Sequence, residues 1–311
     1  MRSKSIGERI IIDQFHYPVM QDKEKKSRVV THFPTVDFLC LQETWDRDYS
    51  KVLIAELHKI YPWILYDVGV TSVKSNYYML NSGLMIASRY PILDADFKYY
   101  EHSCKLCVYS GKGLLMMKVK LSSSEEGDNV GYVYVTHMQA FQVLSHYVSA
   151  NTSLNSILDK QLDAVLAWTE EFRSETLKTT DKVLFDVVTG DFNFDNMSPG
   201  EKTLSNHKLF SVYEDVCRER PGKDYDWTVG TEHRPMFLGE DQISTPERLR
   251  DALLDPLLRS RYMVDADIKV ATKEVIDKTA PKVDEHGNQV VSSLTGRRRI
   301  DYVLYRKDSN V

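Results

Sequence analysis

The sequence predicts an α+β fold, a sandwich of two sheets with helices on the outside. Three observations carry that expectation. Short apolar and β-branched runs follow one another in quick succession, few segments between them show helical spacing, and turn-forming residues separate most of the runs. At 311 residues, with 42% hydrophobic and 27% charged side chains, the chain has globular composition. One large domain is favoured over two, because sheet-rich sandwiches often exceed 200 residues as a single unit.

Residues 1–35 offer one β-branched run, Ile10 to Ile12, and a polar segment, Gln21 to Lys26, that suits a solvated loop or helix. The run from Val36 to Gln42 is a buried strand candidate ending on Glu43, and Tyr49 to Ile60 then carries amphipathic-helix spacing at Val52, Leu53, Leu57 and Ile60. Trp63 to Val70, Gly83 to Ser88 and Gly113 to Leu121 are the next strands, with Arg89-Tyr90-Pro91 closing the second because proline cannot extend a ladder. Ser122 to Asn129 reads as a polar hairpin loop before the strand Val130 to Thr136, which ends on His137. A long helix is expected from about Ala150 to Arg173, given Leu154, Ile157, Leu158, Leu162, Val165, Leu166 and Trp168.

The strand Val183 to Val188 then delivers Gly190-Asp191-Phe192-Asn193-Phe194-Asp195-Asn196, four carboxylate or carboxamide groups beyond a glycine turn. Residues 197–295 carry loop signals at Pro199-Gly200, Pro221-Gly222 and Asp284 to Asn288, and Thr245-Pro246-Glu247 caps a helix reaching Leu258. Finally Arg297-Arg298-Arg299 leads into the strand Ile300 to Tyr305. The arginine run suits a solvated strand end, with anionic lipid headgroups as the alternative use. No internal repeat or low-complexity tract is present.

Forty basic against 45 acidic side chains give a formal charge of −5, which argues against a nucleic-acid partner held by phosphate neutralisation. Four scattered cysteines do not make a disulfide scaffold, and Cys104-Lys105-Leu106-Cys107 lacks the second Cys or His pair that a zinc site requires. A reducing compartment is the simplest setting. No apolar stretch approaches the length of a transmembrane helix, and the N-terminus lacks a signal-peptide core.

Four strand ends carry polar groups suited to chemistry: Glu43, His137, Asp191 with Asn193, and Asp301. Each alone is the ordinary first solvated residue of a loop. Together they suit a hard cation such as Mg²⁺, which takes one or two carboxylates and leaves positions open for phosphate oxygens that His and Asn can also hydrogen-bond.

The motifs Leu41-Gln42-Glu43, Ser88-Arg89-Tyr90-Pro91-Ile92, Thr136-His137, Gly190-Asp191-Phe192-Asn193 and Arg299-Ile300-Asp301-Tyr302, in that order, resemble the endonuclease/exonuclease/phosphatase superfamily. Tyr66 to Val70, Leu80 to Leu84, Ser110 to Gly113, Val188 to Asn196 and Arg298 to Tyr302 further resemble the neutral sphingomyelinases, over roughly residues 34 to 306. The resemblance implies a DNase I-like, four-layer α/β/β/α sandwich of two mixed sheets. It implies a catalytic domain over residues 36–311, hydrolysing sphingomyelin in a membrane surface to ceramide and phosphocholine with Mg²⁺. By the same resemblance Glu43 binds the metal, Asp191 and Asn193 hold the phosphate and the attacking water, and His137 donates to phosphoryl oxygens. Asn81 supports that histidine, Lys112 belongs to a switch loop, and Asp301 orients a general base. The implied location is cytoplasmic, peripheral on the inner face of the Golgi or plasma membrane, with anionic phospholipid as a further partner.

The sequence also departs from the family pattern. The first asparagine is Asn76, so the metal-site Asn of the family's first strand has no counterpart, and the final Ser/Thr-Asp-His strand with its general base does not follow Asp301. Cys107 stands where the switch aspartate is expected, and Met138-Gln139-Ala140-Phe141 lacks a histidine of close relatives. The expectation is a domain lacking an N-terminal and a C-terminal strand and hydrolysing sphingomyelin very weakly or not at all. The alternatives are a silent lipid- or protein-binding isoform, or a nuclease or inositol-phosphate phosphatase of the same fold.

Overall fold

The computed structural model describes residues 36–69, 78–140, 154–266 and 281–308. The runs Ile10 to Ile12 and Gln21 to Lys26, and the first residues of the expected long helix, lie outside them. Strand β1 (Phe38–Leu41) leads to helix α1 (Arg47–Leu57), then β2 (Trp63–Leu65) and β3 (Met85–Ser88). Strands β4 (Ile92–Tyr99), β5 (Gly113–Ser124) and β6 (Gly127–His137) follow, then helix α2 (Leu154–Thr176) and β7 (Lys182–Asp191). Two short helices, α3 (Lys202–Ser205) and α4 (Leu209–Val212), precede β8 (Tyr213–Asp215), β9 (Arg218–Arg220) and β10 (Lys223–Asp224). Helices α5 (Pro246–Leu254) and α6 (Pro256–Tyr262) and strand β11 (Asp301–Arg306) complete the described chain.

Two sheets and two main helices stack in the expected order. The small sheet runs β1-β3-β2, antiparallel at both described pairings, and the large one runs β4-β5-β6-β7-β11-β8, mixed by the parallel pair β6 and β7. In β3 alternate side chains serve opposite faces. Met85 and Ala87 pack with Leu53, Ile54 and Leu57 of α1, while Ile86 meets Leu115, Met117, Val119, Val133 and Val135 between the sheets. The far face of the large sheet sets Leu114, Met116, Tyr132, Tyr134 and Val188 against Leu158, Leu162, Val165 and Phe172 of α2. Each such buried side chain contributes about 1.5–3 kcal/mol, so the layering rests on the alternation itself.

Local chemistry sets the boundaries and corrects several expectations. Helix α1 begins earlier than its apolar spacing suggests because Asp46 caps it, accepting from Asp48 N and Tyr49 N at 3.0 Å each. Val52, expected on the buried face, is exposed. Strand β2 ends at Leu65 because Asp67 and Gly69 take positive φ, 53° and 76°. The loop expected at Ser122 to Asn129 is ladder instead, with Ser124 paired to Gly127 and only Glu125-Glu126 turning. Strand β3 ends at Ser88, as Arg89-Tyr90-Pro91 led one to expect, and the unanticipated element is β4 after Pro91, an edge strand whose exposed Leu93 to Asp96 hid it from any hydrophobic pattern. The helix expected from Glu247 to Leu258 breaks at Pro256, with Asp255 ending α5 and capping α6.

The arginine run is the largest reversal. Arg298 and Arg299 are 1% and 4% exposed, not a solvated strand end or a lipid-facing patch. Arg298 donates to Glu201 at 2.8 and 3.0 Å and to Glu232 at 2.6 Å, and Arg299 donates to Asp224 at 2.9 Å and Asp215 at 2.6 Å. Guanidinium forks bury well when every N–H meets a carboxylate, and these lock the chain entering β11.

Candidate functional site

Strand register assembles the centre of the site. In the parallel pair β6 and β7, His137 stands opposite Asp191, and in the antiparallel pair β11 and β7, Asp301 stands opposite the same Asp191. Three sequence-predicted groups therefore lie side by side at one sheet edge. Gly190 makes this possible: at φ +132° a Cβ there would sit 2.0 Å from Thr136 O, so β6 and β7 can approach only with glycine at that position. Beyond it the chain turns through Asn193, at φ 56°, whose amide N–H donates to Asp191 Oδ1 at 2.8 Å. The Asn193 side chain donates to Met138 O at 3.0 Å and so joins the loop after β7 to the end of β6.

His137 is buried, and its surroundings favour the neutral ring. Burial first, then the Lys112 charge, hold its pKa well below the ordinary 6.5. Lys112 Nζ lies 2.8 Å from His137 Nε2 and donates to Met138 O at 2.7 Å. With Lys112 donating to Nε2 the ring proton belongs on Nδ1, a buried atom without a hydrogen-bond partner among the described residues. Asp191 Oδ2 is 3.6 Å from Nε2. Burial, then repulsion by Asp301, pushes the Asp191 carboxyl up to about 7, offset by the Asn193 N–H and by Lys112. Burial likewise raises Asp301, whose backbone N–H donates to Thr231 Oγ1 at 3.2 Å.

Glu43 directly follows the end-turn of β1, exposed and at φ 60°. Burial lowers the Lys112 pKa, and attraction to Cys107, Asp191 and Glu43 opposes that shift, which places Glu43 within electrostatic reach of the site. Cys107, where an aspartate was expected, is thus in contact with Lys112 all the same. Asn81 is buried, but its side chain is committed elsewhere: its amide donates to Asp67 and its oxygen accepts from Gly83 N at 2.9 Å. Its link to His137 runs through Trp45, whose indole N–H donates to Asn81 O at 3.2 Å and whose ring lies 5.9 Å from the His137 ring.

Four neighbours escaped the sequence. Trp45 stands two residues after a strand-end carboxylate, where an aromatic cover was a readable signal. Thr231, Glu232 and His233 sit among loops with no periodicity to place them. Glu232 repels both Asp191 and Asp301 while paired to Arg298, and His233, its pKa lowered by burial, is drawn the other way by Asp301. A cavity of about 440 Å³ opens beside these carboxylates, lined by Gln42, Gly190, Trp227, Thr231 and Asp301 among others.

All four cysteines are free, and among the described residues no group of three or more His, Cys, Asp or Glu is arranged to hold a metal. Glu43 has no ion pair within 4 Å among the described residues, so its carboxylate suits a hard cation held by one protein oxygen with phosphate and water completing the shell. Among the described residues no helix is long and apolar enough to cross a membrane.

Residues 14–311 match the Endonuclease/Exonuclease/phosphatase family. The chain is 34% identical over 296 residues to Sphingomyelin phosphodiesterase 3 of Homo sapiens, covering 92% of this chain and 42% of that protein. It is 32% identical over 282 residues to Sphingomyelin phosphodiesterase 5 of Danio rerio, covering 89% and 48% respectively. The chain thus spans less than half the length of these two relatives. Among solved structures, a beta toxin variant from Staphylococcus aureus with bound magnesium ions superposes with a TM-score of 0.55 at 14% identity, over 100% of this chain and 77% of that one. Sphingomyelinase C from Streptomyces griseocarneus gives 0.52 at 14%, over 88% and 72%. These structural likenesses support the fold.

Proposed function

Because the chain belongs to the Endonuclease/Exonuclease/phosphatase family, we propose that it is a phosphoric diester hydrolase acting on sphingomyelin, releasing ceramide and phosphocholine at a membrane surface. The observation that carries this reading is the register that sets His137, Asp191 and Asp301 abreast, with Asn193 folded back onto Asp191. The identity to sphingomyelin phosphodiesterases over nine-tenths of the chain supports the choice of diester. The kinship favours the inner face of the Golgi or plasma membrane as the place of action.

Asp191, with its proton affinity raised to about 7, is poised to hold and orient a water near neutral pH. The Asn193 carboxamide stands beside it as a donor for a phosphoryl oxygen, and such a donor acts because it is fixed before charge develops. His137 is the third hydrogen-bonding group, but Lys112 caps its Nε2 in this conformation. Withdrawal of Lys112, or its transfer to the arriving phosphate, is therefore required before that nitrogen can serve the substrate. Glu43 would hold a Mg²⁺ ion, which supplies charge neutralisation on phosphate oxygens; the magnesium seen in the beta toxin structure supports that choice.

The test is phosphocholine release from sphingomyelin in mixed micelles, with and without Mg²⁺, comparing the protein with Asp191→Asn. The expected result is Mg²⁺-dependent release lost in the variant. Hydrolysis of abasic DNA or an inositol phosphate without any of sphingomyelin would overturn the substrate, and release unaffected by Asp191→Asn would overturn the site.

A further inference from the structure

The cavity of about 440 Å³ beside the candidate site is a gap in the sandwich. Alternation along β11 sends Tyr302 and Leu304 into the core packed on α2 and turns Asp301 and Val303 to the other face, where the register sets them beside Asp191 and Thr189 of β7. The small sheet ends at β1 and leaves Val303 60% exposed. Thr189 and Val303 make the cavity floor, Cys40 and Gln42 of β1 stand on one side, and Val216, Trp227 and Val229 line it as well.

The lining is of two kinds. Asp301 and Thr231 bring the acidic part, with Asp191 across the ladder and Glu232 repelling both carboxylates. Arg299 is the one cation among the lining residues, and it is already held between Asp215 at 2.6 Å and Asp224 at 2.9 Å. The remainder is apolar and uncharged. Burial raises both thiols, Cys40 and Cys217, so they stay neutral. The Trp227 ring, 37% exposed, lies against the Tyr225 ring at 6.0 Å and 10°, a stack that fixes its plane.

On the reading above that the substrate is sphingomyelin, we propose that this cavity receives the trimethylammonium group of the headgroup, with Trp227 as the residue that selects it. Such a group carries a positive charge but no N–H, so it needs an aromatic face and a negative field, with no acceptor aimed at it. A primary ammonium gives up hydration on entering and finds few acceptors along the valines, so the same wall rejects ethanolamine. The headgroup nitrogen is joined to the phosphate ester by a two-carbon link. A phosphate held at Asp191 therefore delivers it beside Asp301, where the cavity opens. A hydrocarbon tail gains from the valines but nothing from the carboxylates.

Titration of the purified protein with tetramethylammonium chloride, against ammonium chloride at equal ionic strength, tests the site. The Trp227 indole N–H is followed by ¹H–¹⁵N NMR, its signal assigned by its absence from Trp227→Phe. The expected result is a saturable shift with tetramethylammonium alone. In hydrolysis, the kcat/KM ratio of sphingomyelin over ceramide phosphoethanolamine falls about tenfold in Trp227→Leu and stays within about threefold in Trp227→Phe, as the loss or retention of one cation–π contact requires. A saturable shift in a protein that hydrolyses neither lipid upholds the quaternary-ammonium site and removes the substrate reading. Absence of that shift, a signal that answers to a short-chain ceramide instead, or hydrolysis with a ratio unchanged in Trp227→Leu overturns the proposal while the substrate reading stands.

Discussion

Asp191 and Asp195 stand four residues apart in one turn, and both carboxyls are pushed up to about 7. Their surroundings could hardly differ more. Asp195 is sealed, accepting from Met197 N, Ser198 Oγ and Arg299 N, with Arg298 nearby to offset the repulsion of Glu201 and Asp224. Asp191 keeps 17% of its side chain exposed and faces Asp301 and Glu232, offset by the Asn193 N–H and by Lys112. A perturbed carboxylate alone therefore does not mark a site. What separates chemistry from architecture is whether the charge is compensated by fixed partners or left open towards a ligand.

The contrast predicts different failures for different substitutions. The largest effect falls on activity: Asp191→Asn lowers hydrolysis about 10²–10⁴-fold, the usual range for a group acting on the reacting atoms. Stability, followed by urea unfolding, does not fall with it, because the change removes a charge repelled by Asp301. A variant that unfolds instead breaks the comparison. Next, Arg298→Met strands Glu201 and Glu232 and lowers stability by about 3–5 kcal/mol. Chemical denaturation reads this, and a loss under about 1 kcal/mol means that the network is less coupled than its geometry indicates.

Smaller effects sharpen the boundary between the two regions. Gly190→Ala forces a side chain into positive φ against Thr136 O, at a cost of about 1–3 kcal/mol, and separates the two strands that carry His137 and Asp191. Its signature is a joint loss of stability and activity. The mildest is a pH effect. His137 has a folded pKa below its unfolded 6.5, so its contribution to stability is present above 6.5 and lost as pH falls through the folded value. Asp191 works in the opposite sense, since its folded pKa exceeds the unfolded 3.8 and its contribution fades as pH rises from there towards about 7. Unfolding free energies between pH 4 and 8 for His137→Asn and Asp191→Asn each flatten one limb of that profile.

Much of the candidate site was legible because the polar groups sit where apolar runs stop. Hydrophobic runs locate β6 and β7, and the turn after Val188 announces Asp191 and Asn193. The sequence could not show the third dimension of that site. Arg298 and Arg299 look like a basic surface because their partners, Glu201, Glu232, Asp215 and Asp224, come from segments up to 97 residues away. Thr231 and His233 approach Asp301 through a loop with no periodicity, so only tertiary packing places them. Strand β4 was hidden for a simpler reason: four consecutive residues of this edge strand, Leu93 to Asp96, are exposed, so there is no buried alternation to read.

The account rests on Asp191 being raised by burial and then by Asp301 across the ladder, whereas Asp195 is raised by burial inside its own network. Carboxyl ¹³C NMR titration of both residues, in the protein and in Asp301→Asn, tests this most directly. The prediction is that Asp191 titrates near 7 and falls in the variant by the part that Asp301 contributes, while Asp195 does not move. An Asp191 value unchanged by the loss of Asp301, or an Asp195 that shifts with it, contradicts the account.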